Sequence, residues 1–161
     1  MNNYIQWLKS TTTARVLLVQ VQVEVSGVLQ TKYLSTAPVT VDSVEYLAIV
    51  KSNISISNNI NIDYTSSISF GDIELANNSG MYDSWMQYIW TNKSCKVYYG
   101  GIPSQPTNQS LSQDYELIFD GIVEDIDAKS LTTLNLKIRD KLEKLNYPVT
   151  DQYLGNQKLT I

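Results

Sequence analysis

The chain is expected to be mainly β, and three observations carry that expectation. Val19, Val21, Val23 and Val25 alternate with Gln20, Gln22 and Glu24, the period-two pattern of a strand with one buried face, written in β-branched residues. Ile54, Ile56, Ile60 and Ile62 hold one phase across a stretch rich in Ser and Asn, and Leu134, Leu136 and Ile138 repeat the pattern near the end. Between the runs stands turn chemistry: Ser26-Gly27, Asp42-Ser43 and the cluster at 77–80. With 161 residues, 43% of them apolar and 17% charged, the chain fits a single β domain over 1–161 that buries one core.

Taken in order, residues 1–13 form an N-terminal docking segment, a short helix with Tyr4, Ile5 and Leu8 on one side and Trp7 nearby. A strand over 14–25 turns at Ser26-Gly27 into a return strand over 28–35, and a second hairpin turns at Asp42-Ser43. Residues 53–64 are simplest as one long strand, a turn at Asn58-Asn59 being the alternative. From 67 to 75 the apolar phase slips near Gly71, as a bulge would make it. Met81, Trp85, Tyr88 and Ile89 follow at helical spacing and predict one amphipathic helix at about 80–90 packed on the sheet.

A strand over 93–100 leads into residues 101–113, which hold two prolines and few large apolar residues and are expected to be a flexible loop or arm. The next strand, over 115–126, contains Gly121 at a bulge or close approach, and a hairpin through 128–130 joins it to the strand of Leu134. Residues 139–161 complete the chain as a C-terminal helix and tail, Leu142 and Leu145 lying on the helix and Pro148 just beyond its end.

Charge and residue inventory exclude several functions. A net charge of −4 leaves no basic stripe for nucleic acid, since Lys137, Arg139, Lys141 and Lys144 are interrupted by Asp140 and Glu143 as on a solvated face. Histidine is absent, which removes imidazole-based triads and histidine-ligated zinc. Cys95 stands alone, a small hydrophobe that can form no internal disulfide, as suits a reducing compartment. The start, MNNYIQWLKS, has no signal-peptide pattern and no apolar run spans a bilayer, so synthesis in the cytoplasm without membrane insertion is expected.

Acidic residues concentrate twice. Asp72, Glu74 and Asp83 suggest a metal or acid/base site, against which stands the ordinary role of Asp83 in the first turn of a helix. Asp120 and Glu124 on one strand face, with Asp125 and Asp127 on the other, suggest a carboxylate-dependent hydrolase, but no sugar-stacking tryptophan lies beside them in sequence. The expectation is therefore a non-enzyme with no catalytic, cofactor-binding or metal-binding residue. A carbohydrate-binding β module is the alternative function, with Trp85, Trp90 and the tyrosines as stacking surfaces.

Three segments together carry a resemblance: GDIELANNSGMYDSWMQYIWTNKSCKVYYGG at 71–101, LIFDGIVEDI at 117–126 and LNLKIRDKLEKLNYPVT at 134–150. The strand and turn of GDIEL-x-N-x-x-G, the D-x-W helix followed by W-x-N, the strand ending in Y-x-G, I-F-x-G-x-V and the closing R-D-K-L-x-x-L-N resemble tail proteins of tailed bacteriophages. The YLST at 33–36 and the tyrosine and leucine of EYLAIV at 45–50 also fit, so the resemblance covers 33–150. It implies an antiparallel β-barrel or split barrel, like that of a phage tail tube, with a helix packed on the sheet.

In function it implies a structural subunit of the tail tip or baseplate, of hub or distal-tail type. Such a subunit forms part of a ring or hub that joins the tail tube to the host-facing tip. The implied partners are copies of itself, as a trimer or hexamer, and other tail proteins such as tube and tip proteins; the implied location is the virion, after assembly in the host cytoplasm. Residues 101–113 and the N-terminal segment would serve as arms, and an acidic channel lining would repel DNA phosphates. Two departures stand out. Similar proteins are often longer, and Asn92 occupies a position where a basic residue can follow the tryptophan, leaving Lys93 as the candidate for that role.

Overall fold

The computed structural model describes residues 3–9, 14–51, 56–60, 66–102 and 109–141. The architecture is mainly β: an eight-stranded sheet and a two-stranded ribbon, with little helix. Helix α1 (Asn3–Leu8) comes first and lies against β8 (Ser94–Ile102) and the single-turn α2 (Leu111–Asp114). Strands β1 (Ala14–Val25) and β2 (Val28–Ser35) form the first hairpin, and β3 (Val39–Val41) and β4 (Val44–Ala48) the second. Both turns have positive φ at both central residues, 52° and 80° at Ser26 and Gly27 and 49° and 64° at Asp42 and Ser43. That geometry matches the twist of the flanking strands and explains why these short polar pairs sit there.

The remaining strands are β5 (Ile56–Ile60), β6 (Ser66–Phe70), β7 (Ile73–Ala76), β9 (Tyr115–Ser130) and β10 (Thr133–Asp140). The sheet runs in the order β3-β4-β2-β1-β8-β9-β10-β7, antiparallel except where Leu34 and Ser35 of β2 pair parallel with Leu47 and Ala48 of β4. It is not a closed barrel. The gap between β7 and β2 is spanned by residues 49–51: Val50 N–H donates to Ser35 O at 2.9 Å, Lys51 N–H to Glu74 O at 2.9 Å and Ala76 N–H to Ile49 O at 2.7 Å.

β1 is apolar on both faces at its start because both faces are covered. Val19, Val21 and Val23 face the main core with Leu34, Leu75, Val97, Phe119, Leu134 and Leu136. Val16 and Leu18 face a second cluster with Val41, Tyr46 and Tyr115, built where the β3–β4 hairpin and α2 lie over the sheet. Beyond Leu18 the even positions turn polar, and Gln20 donates to Tyr46 Oη at 2.6 Å at the edge of that cover.

Several expectations need correction. Asn58 and Asn59 lie inside β5, opposite Ile68 and Ser67, so the turn alternative fails; the ends of the strand expected over 53–64 fall outside the described residues. Gly71 and Asp72, where the phase slips, lie between β6, which pairs with β5, and β7, which pairs with β10 and with Val50. The β9–β10 turn is at Leu131 and Thr132, because β9 runs through 128–130. Arg139 and Asp140, expected in a helix, belong to β10, where they pair with Ile122 and Gly121; residues 142–161 lie outside the described residues.

Of the loop expected over 101–113, residues 103–108 lie outside the described residues, and both described ends are fixed to the fold. β8 extends to Ile102, and Gln109 is buried, donating from Nε2 to Gly101 O at 2.9 Å and accepting from Tyr115 Oη at 2.8 Å. Asp42 N–H donates to Gln109 O at 2.9 Å, which stitches this segment beside β3. Burial pushes the Tyr115 phenol well above its usual pKa, with the Asp114 charge adding to the effect. The sequence hides this anchor because a glutamine in a polar stretch carries no period.

Candidate functional site

The segment at 71–101 holds the two buried tryptophans, Trp85 at 7% exposure and Trp90 at 2%. It forms two turns of 3-10 helix, Asn78–Gly80 and Asp83–Gln87, rather than one α-helix over 80–90. With three residues per turn, Tyr82, Trp85 and Tyr88 align towards the core, and the predicted stripe is broken: Met81 is 72% exposed and Ile89 55%. Trp90 Nε1 donates to Trp85 O at 2.7 Å, and the rings lie 5.7 Å apart, with the Tyr82 ring 4.7 Å from that of Trp85.

A local network explains the 3-10 geometry. Asn77 is buried; its Nδ2 donates to Asp83 Oδ1 at 2.7 Å, and its Oδ1 accepts from Tyr82 N–H at 2.8 Å. Gly80 has φ of +71°, and a Cβ there would sit 2.7 Å from Asp83 Oδ2. These bonds hold the chain in turns that α-helical pairing would have to break. Asp83 is thus bound by an amide within its own turn. Asn77→Ala is expected to cost about 1 kcal/mol in chemical denaturation, because it removes the acceptor of the Tyr82 N–H, while the exposed Asp83 carboxylate turns to water.

Asp72, Glu74, Asp120 and Asp127 are held in the same structural way. Asp72 Oδ2 accepts from Asn135 Nδ2 at 2.7 Å, and Glu74 pairs with Lys129, whose ammonium holds the carboxyl below its usual range. Asp127 pairs with Lys137 at 2.8 Å and is lowered likewise, while Asp120 pairs with Lys141. Asp120, Asp125 and Asp127 all lie on the outer face, against the expected split, because Glu124 is an extra residue between Asp125, opposite Lys137, and Val123, opposite Ile138. Among the described residues no group of three or more acids or cysteines is placed to hold a metal ion.

Buried Trp85 and Trp90 offer no face to a sugar, which removes the two tryptophan surfaces of the carbohydrate-binding alternative; the side chain of Trp7 lies outside the described residues. Asn92 has φ of 62°, a conformation that Asn adopts more easily than a long basic side chain would. Its Oδ1 accepts from Arg139 Nη2 at 3.1 Å, and Lys93 pairs with Glu24 at 2.6 Å, so two basic groups flank the position.

Cys95 is buried, and desolvation pushes its thiol up to about 12. Iodoacetamide at pH about 8 is therefore expected to leave it unmodified in the folded protein and to label it fully in denaturant, as read by intact mass; thiolate is the reactive form.

The surface also carries exposed apolar side chains. Leu29 and Ile89 both stand opposite Glu24, one on each side, and are 55% exposed. Val28, Met81 and Met86 are exposed on the same two segments, the β1–β2 hairpin and the 3-10 turns. Lys32 links those segments, its Nζ lying 6.0 Å from the centre of the Trp85 ring. Sequence periodicity assigned Met81 and Ile89 to the core and so missed this surface.

The fold recurs in a virion. A chain in a structure described as the virion of a native gene transfer agent particle superposes with a TM-score of 0.61 over 89% of this chain, at 10% sequence identity. The match spans 46% of that chain, less than half its length. No protein-family model matches the sequence, and no curated protein matches it. Among the described residues no helix is long and apolar enough to cross a membrane.

Proposed function

We propose that this chain is a non-enzymatic structural subunit of a phage or phage-like particle, placed in the tail tip or baseplate. There it would form part of a ring or hub joining the tail tube to the host-facing tip. The observation that carries the proposal is the fold shared with a virion chain over 89% of the length. The motif set over 33–150 supports the tail-tip position, and the exposed apolar side chains of Leu29 and Ile89, one on each side of Glu24, support contact with neighbouring subunits. The described carboxylates support a structural role, since Asp72, Glu74, Asp83, Asp120 and Asp127 each bind a nearby amide or ammonium.

The proposed partners are copies of the chain, as a trimer or hexamer, and adjoining tube and tip proteins. Mass spectrometry of purified particles should find the protein in a fixed copy number, and immunogold labelling should mark one end of the tail. Mass photometry of the isolated chain should show oligomers. A protein that is strictly monomeric and absent from particles would falsify the proposal.

A further inference from the structure

The two-residue turn at Ser26-Gly27 sets which way each backbone group of β2 points. Val25 and Val28 flank it as a hydrogen-bonded pair, so Gln30, Lys32 and Leu34 also bond to β1. Leu29, Thr31, Tyr33 and Ser35 direct their N–H and C=O groups to the other side. Two bonds fix this assignment: Thr36 N–H donates to Leu17 O on the β1 side at 3.1 Å, and Ser35 O accepts from Val50 N–H on the far side at 2.9 Å. On that far side β4 pairs with Leu34 and Ser35, and Tyr33 is flanked by Tyr46, the ring centres 5.3 Å apart. The stretch before them is open. No hydrogen bond among the described residues reaches the N–H or C=O of Leu29 or Thr31 on that side, and residues 28–31 are exposed.

We propose that this edge of β2 binds the same edge of a second copy of the chain, antiparallel and about a two-fold axis. An extended backbone with unpaired donors and acceptors in alternation takes up another strand, and a second copy brings one of matching length. With Gln30 opposite Gln30 at the axis, Leu29 of each chain stands opposite Thr31 of the other. Each such pair exchanges both of its N–H to C=O bonds, and the pairing ends where β4 begins.

Charge favours a copy at this edge. The chain carries −4 overall, so copies repel one another at long range. Residues 28–33 hold a single charge, Lys32, and the register sets it opposite Val28 rather than opposite itself. The Lys32 ammonium lies 6.0 Å from the centre of its own chain's Trp85 ring and donates to Gln30 Oε1 at 3.2 Å. The contact rests on the reading above only in supposing that copies meet, and a hexamer built with it consists of two-fold pairs.

Sedimentation velocity on the full chain tests the pairing. The chain should form dimers or even multiples of them. Gln30→Lys should weaken association about fivefold, because like charges then face each other at the axis. An equal mixture of Gln30→Lys and Gln30→Glu proteins should associate more tightly than either alone. Thr31→Pro should abolish association with the circular dichroism unchanged, since the Thr31 N–H points to the open side and proline there removes no bond to β1. If Thr31→Pro unfolds the chain, the Gln30 mixture decides. In hydrogen exchange by NMR, the Leu29 and Thr31 amides should gain protection as concentration rises, while that of Gln30, already bonded to β1, should not. Monomers at every concentration, trimers alone, or a mixture no tighter than its components would overturn the pairing. Detection of the protein in particles would still uphold the structural-subunit reading in that case, and its absence from particles would count against that reading alone.

Discussion

Trp90→Ala is expected to lower the unfolding free energy by about 4 kcal/mol, close to the upper end for loss of a large aromatic from a core. Trp90 is 2% exposed and sits among Trp85, Val123 and Ile126, so its removal leaves a cavity that the surrounding strands cannot easily fill. It also removes one of two donors to Trp85 O, which keeps the Tyr88 N–H at 3.1 Å. Trp90→Phe separates the two effects: it keeps most of the volume and should cost about 1 kcal/mol, mainly for the lost Nε1 hydrogen bond, since Trp85 O still accepts from Tyr88 N–H. Urea denaturation followed by circular dichroism measures both, and a near-neutral Trp90→Ala would mean that the aromatic plug does not stabilise the fold.

Gly121→Ala should destabilise by about 3 kcal/mol, the upper part of the range for overpacking a well-filled site. An added Cβ would lie 2.2 Å from Phe119 Cζ and 2.4 Å from Arg139 O, and the second of these is backbone that cannot swing away. Gly27→Ala is the matched control, because its φ of +80° strains a side chain but no atom lies within 4 Å. It should cost about 1 kcal/mol. If both substitutions cost the same, the close approach of Phe119 and Arg139 to Gly121 is not rigid. Phe119→Leu in the Gly121→Ala background should recover part of the loss and leave the clash with the carbonyl.

Many strand positions were legible because they rest on local rules. The Val19 to Val25 alternation reports one buried face, and Ser26-Gly27 reports a turn with two positive φ angles. Asp42-Ser43 was legible for the same reason. Periodicity failed where the helix type changed: Met81 and Ile89 match a period of 3.6, but the Asn77–Asp83 network winds the chain at three residues per turn and brings Tyr82 and Tyr88 inward instead. It failed again on β9, where the extra residues Ile118 and Glu124 reset the alternation, so that the faces of Asp120, Asp125 and Asp127 could not be counted off the chain.

The sequence by itself determined that this protein is mainly β, where its two tight hairpins turn, and that imidazole chemistry is closed to it. Each follows from residue type and near-neighbour spacing. Only the tertiary structure decided that Gln109 is an anchor, that Trp85 and Trp90 are interior, that the carboxylates are bound by amides and ammonium groups, and that Leu29 and Ile89 share an exposed strip. These depend on pairing between residues far apart in the chain, such as Glu24 with Ile89, and contacts of that range leave no period in the sequence.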